Sequence, residues 1–90
     1  MTACSREVRI ANQRGLHARA SAKFVNLASE LGTAIEVEKD GNRVCGTSIM
    51  GLMMLGAACG DRITISAEGE GADEAVAALA GLVEAKFGEE

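Results

Sequence analysis

Apolar and polar residues alternate from Arg6 to Ala11, with Val8 and Ile10 on one side and Glu7 and Arg9 on the other, which predicts a half-buried strand. The period then lengthens. After a polar loop from Asn12 to Gly15, apolar residues recur at Ala20, Phe24, Leu27, Ala28 and Leu31, the spacing of one buried helix face. This predicts a helix from about Ala18 to Leu31, ended by Gly32. Alternation returns in Thr33–Glu38, with Ile35 and Val37 inward. The Asp40-Gly41 pair signals a hairpin into a short strand at Arg43–Cys45. A fourth strand is expected at Asp61–Glu68, with Ile63, Ile65 and Ala67 inward. The last segment, about Ala72 to Phe87, carries Ala75, Val76, Leu79, Leu82, Val83 and Phe87 at helical spacing, and Gly81 inside it suggests close packing against the sheet. Four one-faced strands and amphipathic helices predict a two-layer α+β domain, a mostly antiparallel sheet with helices on one face.

Composition narrows the function classes. Ninety residues make one domain, and 48% hydrophobic residues without proline suit a compact core. A formal charge of −4 and only two aromatic residues, Phe24 and Phe87, argue against nucleic acid as a partner. No apolar run is long enough to span a bilayer, and Met1–Glu7 is too short and polar for a signal peptide. Cys4, Cys45 and Cys59 are odd in number and contain no C-x-x-C pair, so neither a disulfide framework nor a zinc site is expected, and a reducing cytoplasm fits.

The candidate chemistry lies in Gly15-Leu16-His17-Ala18-Arg19, where the only histidine stands at or just before a helix start. The first N–H groups of a helix lack intrahelical partners and, with the macrodipole, make a site for an anion such as phosphate. Arg19 adds a positive charge within one turn. A neutral imidazole beside such a site can take and give a phosphoryl group. A lone histidine before a helix is also an ordinary cap or surface residue, and spacing alone does not separate the readings.

Between the third and fourth strands, Thr47-Ser48-Ile49-Met50-Gly51-Leu52-Met53-Met54-Leu55-Gly56 contains no charge and predicts a short helix capped by Ser48. Leu52 and Leu55 share one side, whereas Ile49, Met50 and Met53 fall on another. The second set is either core or an exposed docking patch. Ser48 is either a cap alone or also a phosphorylation site, where a dianion would meet the helix start and the apolar patch together.

Taken together, Gly15–Arg19, Ser48-Ile49-Met50-Gly51-Leu52-Met53 and Ile63-Thr64-Ile65-Ser66-Ala67-Glu68-Gly69 resemble the HPr family, histidine-containing phosphocarriers of the phosphoenolpyruvate-dependent phosphotransferase system. The resemblance covers almost the whole chain and implies an open-faced β-sandwich of order β-α-β-β-α-β-α. It implies that His17 accepts a phosphoryl group from phosphorylated enzyme I and donates it to a IIA protein of a sugar or nitrogen-type branch. The chain would then be a carrier rather than a stand-alone enzyme. Arg19, with the Ala18 backbone, is similar to the phosphate-binding part of the motif. Ile49, Met50 and Met53 match the surface that docks both partners, and Ser48 matches the serine modified by HPr kinase/phosphorylase in many bacteria. The resemblance implies a cytoplasmic monomer with no metal or cofactor. The chain departs from many relatives at Ala20, where they carry proline, and at Arg14, where they carry an asparagine able to orient the ring. Here Asn12 lies two residues earlier.

Overall fold

The computed structural model describes residues 3–89. Its elements are β1 (Ala3–Arg9), α1 (Ala18–Leu31), β2 (Ile35–Lys39), β3 (Asn42–Cys45), α2 (Ile49–Met54), β4 (Arg62–Glu68) and α3 (Ala72–Glu84), followed by a 3-10 turn at Lys86–Gly88. The four strands form one antiparallel sheet in the order β1-β4-β2-β3. Val8 pairs with Ile63, and Val37 pairs with both Ile65 and Val44. These pairings place the inward side chains of all four strands on the same face. That face is covered by helices: α3 lies across β1 and β4, and α1 packs against α2 and α3. The other face carries Ser5, Glu7, Glu36, Thr64 and Ser66 and is uncovered. The architecture is the expected α+β open-faced sandwich.

The core forms where the two periodicities meet. Ala20, Phe24 and Ala28 of α1 are buried with Val76, Leu79 and Val83 of α3 over Val8, Val37, Ile63 and Ile65. Leu27 and Leu31, on the margin of the same stripe, are only partly buried. Each fully buried large apolar side chain contributes roughly 1.5–3 kcal/mol relative to exposure.

Several element boundaries differ from the sequence reading. β1 starts at Ala3 because Ala3–Ser5 pair with Ser66–Glu68, and it ends at Arg9. Ile10 stays buried, but its backbone bonds to the loop before β4, donating to Asp61 O and accepting from Gly60 N, both at 2.8 Å. β2 runs from Ile35 to Lys39 rather than from Thr33, and β4 begins at Arg62. α3 stops at Glu84 instead of reaching Phe87, because Lys86 and Phe87 adopt left-handed backbone angles, φ 60° and 55°. Such a conformation costs a non-glycine residue roughly 1–2 kcal/mol. Complete burial of the Phe87 ring offsets this, and Lys23 Nζ donates to the Phe87 carbonyl at 2.7 Å. Gly81 does not mark a close approach: it is exposed, and a Cβ there would meet nothing within 4 Å.

Candidate functional site

The loop from β1 to α1 is shaped before the histidine is reached. Gly15 has φ 65°, donates to Asn12 O at 3.2 Å, and lies so close to Ala57 and Ala58 that a Cβ would collide with the Ala57 carbonyl. Both the angle and the space require glycine. Leu16 is buried and donates to Ala57 O at 3.0 Å, which ties the loop to the segment after α2. His17 is thereby held at the N-cap of α1, with extended backbone and a carbonyl that accepts from Ser21 N at 2.9 Å. Its side chain makes no capping bond. The N–H groups of Ala18, Arg19 and Ala20 follow directly and have no intrahelical acceptor.

The imidazole is occupied from a different direction. His17 Nε2 lies 2.6 Å from Glu89 Oε2, and the two side chains are only 15% and 21% exposed. Asn12 Nδ2 donates to Glu89 Oε1 at 3.1 Å and to Gly15 O at 2.9 Å, so one buried amide braces both the carboxylate and the turn. Asn12 Oδ1 is buried and has no partner among the described residues, which costs about 1–3 kcal/mol. Burial pushes the Glu89 carboxyl up, but hydrogen bonds from His17 and Asn12, with the charges of His17 and Arg14, outweigh it and hold the group below its ordinary range. Beside this carboxylate an open cleft of about 390 Å³ is lined by Ala11, Gln13, Arg14, Arg19, Lys86 and Glu89. Arg19 stands in the first turn of α1 and lines this cleft. A larger hollow of about 440 Å³ lies on the bare sheet face, among Ser5, Glu36 and Ser66, and contains no histidine.

The second motif is built at the start of α2. Ser48 is its N-cap, and Ser48 Oγ accepts from Gly51 N at 3.0 Å. Leu52 is fully buried and Leu55 nearly so, whereas Ile49, Met50, Met53 and Met54 are 41%, 70%, 42% and 81% exposed. The exposed set includes Met54, which helical spacing from Met50 would have supplied.

A family model described as "PTS HPr component phosphorylation site" matches residues 4–85. The chain belongs to the HPr family. Among relatives, the phosphocarrier protein HPr of Neisseria meningitidis serogroup A is 48% identical, over 91% of this chain and 92% of its own length. The phosphocarrier protein NPr of Shewanella violacea is 42% identical, over 99% of this chain and 98% of its own. The crystal structure of HPr-C-His from Thermoanaerobacter tengcongensis superposes with a TM-score of 0.91 at 47% identity, covering 97% of this chain and 98% of that one. The chain is thus an HPr-family phosphocarrier of the phosphotransferase system, and no helix among its described residues is long and apolar enough to cross a membrane.

Sequence reasoning missed Glu89 and the bracing by Asn12. Glu89 is 72 positions from His17, in a polar stretch that carries no periodicity. Asn12 sits in a loop where a polar residue is ordinary, and its burial depends on that distant partner.

Proposed function

We propose that His17 accepts a phosphoryl group from phosphorylated enzyme I and passes it to a IIA protein, with the chain acting as a cytoplasmic monomer. The observation that carries this reading is the histidine ring standing at the start of α1 without capping it. The free N–H groups of Ala18 and the next residues, the positive helix end and Arg19 can then stabilise a dianion attached to the ring. The protein supplies a nucleophile in one complex and a leaving group in the next, so each partner contributes the remainder of the chemistry.

Ile49, Met50 and Met53 form the surface against which both partners dock in turn, since unbranched, flexible methionines repack against different shapes. A phosphoryl group on Ser48, added by a kinase of the HPr kinase/phosphorylase type, would set two negative charges at the edge of that patch and weaken docking by desolvation and repulsion.

The test is the intact mass of the protein after incubation with phosphoenolpyruvate and enzyme I, wild type beside His17→Ala. One added phosphoryl group, acid-labile, base-stable and absent from the variant, is the expected result. No added mass, with an enzyme I that phosphorylates another carrier in the same tube, overturns the proposal in favour of a regulatory interaction protein.

A further inference from the structure

We infer that Met50 and Met54, on the exposed face of α2, form an oxidant-sensitive modification site: conversion of their thioethers to sulfoxides releases the carrier from enzyme I, and reduction of the sulfoxides restores docking. This rests on the α2 patch being the docking surface. The observation behind it is where the chain keeps its methionines. Of the four in the sequence, three lie within the six residues of α2. The buried apolar core, built from leucine, isoleucine, valine, alanine and phenylalanine, contains none among the described residues. Met50 and Met54 are 70% and 81% exposed, and Met53 is less so at 42%. At spacings of three and four residues the three side chains are neighbours on one helix face.

An oxidant arriving from solvent therefore meets thioethers at the patch and none in the core. That separates two consequences of methionine oxidation. A sulfoxide formed in a core disrupts packing, whereas one formed at a methionine-rich interface changes what binds there. With hydrogen peroxide, a sulfur lone pair takes one peroxide oxygen, so that an S–O bond forms as the O–O bond breaks. The hydrogen on the transferred oxygen passes to the departing hydroxide, which leaves as water. The sulfur is oxidised by two electrons and the peroxide is reduced by two. No carbon–sulfur bond is broken, so a sulfoxide reductase can return the thioether.

The new oxygen is a hydrogen-bond acceptor on a side chain that was apolar. It must give up water when the patch is covered, and Ile49–Met54 contains no polar side chain to replace that water. Cys45 and Cys59 are the other exposed sulfurs. Hydrogen bonds with Thr47 hold the Cys45 thiol below its ordinary range, which favours its own oxidation. Cys45 lies opposite Glu36 on the uncovered face of the sheet, and its products differ from sulfoxide in being reduced by simple thiols.

The test is graded oxidation with hydrogen peroxide, removal of the peroxide, and treatment of every sample with a thiol reductant, which restores cysteine from sulfenic acid and disulfide but leaves methionine sulfoxide. Peptide masses then locate the added oxygen, and phosphoryl acceptance is measured with the carrier as the varied substrate of enzyme I. Met54 and Met50 should gain oxygen before Met53. The KM for the carrier should rise about tenfold with kcat little changed, the effect of burying an unpartnered acceptor, and methionine sulfoxide reductases should reverse the rise. An unchanged KM with Met50 and Met54 fully oxidised overturns the inference. So does a loss that persists once the reductases have removed the sulfoxides, or one accompanied by unfolding in circular dichroism. Met50→Glu in unoxidised protein keeps this apart from the docking reading. If that charge raises the KM and the sulfoxides do not, the inference alone fails; if neither raises it, α2 is not the docking surface and both fail.

Discussion

Two helix starts carry the two signature residues of this chain, and they use them in opposite ways. Ser48 spends its hydroxyl on its own helix, accepting from Gly51 N, whereas His17 occupies the same cap position in α1 and contributes only its carbonyl. The first side chain is committed to local structure, and the second is left to other groups, here Glu89. A cap position is therefore a place from which a side chain can either close the helix or face outward beside unpaired N–H groups. The difference lies in the residue and in the loop that delivers it. A serine oxygen reaches the N–H three residues on, and an imidazole held behind Gly15 and Leu16 does not.

The largest effect should separate the two at once. His17→Ala should abolish phosphoryl acceptance in the mass assay while α1 stays formed, since the ring closes no helix bond and the stability lost is that of its contact with Glu89 alone; loss of helix content by circular dichroism would show that His17 also builds the helix start. Next in size is the loop itself. Gly15→Ala forces a Cβ into the Ala57 carbonyl at positive φ, and should destabilise by about 3 kcal/mol in urea unfolding, combining a left-handed penalty with overpacking.

Ser48 should behave in the reverse sense to His17. Ser48→Ala should cost about 1 kcal/mol of stability through loss of the cap while leaving phosphoryl acceptance intact. Ser48→Asp retains a capping oxygen, so stability should be kept, and the added charge should lower the rate of acceptance from enzyme I at low carrier concentration. A variant as fast as wild type would count against regulation at this position.

The smallest effect concerns pH. Because the Glu89 carboxyl is held below its ordinary value of 4.5 in the folded state, its contribution is complete above that value and is lost as pH falls through the depressed folded one. The stability difference between wild type and Glu89→Gln should therefore shrink on acidification below pH 4.5, measured by thermal unfolding across that range.

The legible parts of the molecule were those fixed by local periodicity. Alternation marked the inward residues of β1, β2 and β4, and the cap-and-stripe pattern gave α1 and α2 to within a residue. The end of α3 escaped because Phe87 falls four residues after Val83 and continues the apolar spacing, while the reversal is made by backbone angles that no spacing records. His17, Arg19 and Ser48 became candidates through their neighbours in sequence. Glu89 could not, since its importance arises only when the turn after α3 folds back onto the loop after β1. Arg14 stands where the sequence comparison led us to expect an asparagine, and the ring instead meets Glu89, which Asn12 braces from the loop after β1.

The strand order has a consequence in time. Among the described residues β1 pairs with β4 alone, which lies most of the chain later. At roughly 5–20 residues per second of synthesis, Val8 and Ile10 wait on the order of seconds before Ile63 and its neighbours emerge to cover them. The β2–β3 hairpin can close early, whereas the sheet cannot be completed until β4 arrives, and Glu89 is added later still. The newborn chain thus completes its scaffold before the contact between His17 and Glu89 forms, and a ribosome that stalls before β4 leaves the first strand unpaired with Val8 uncovered.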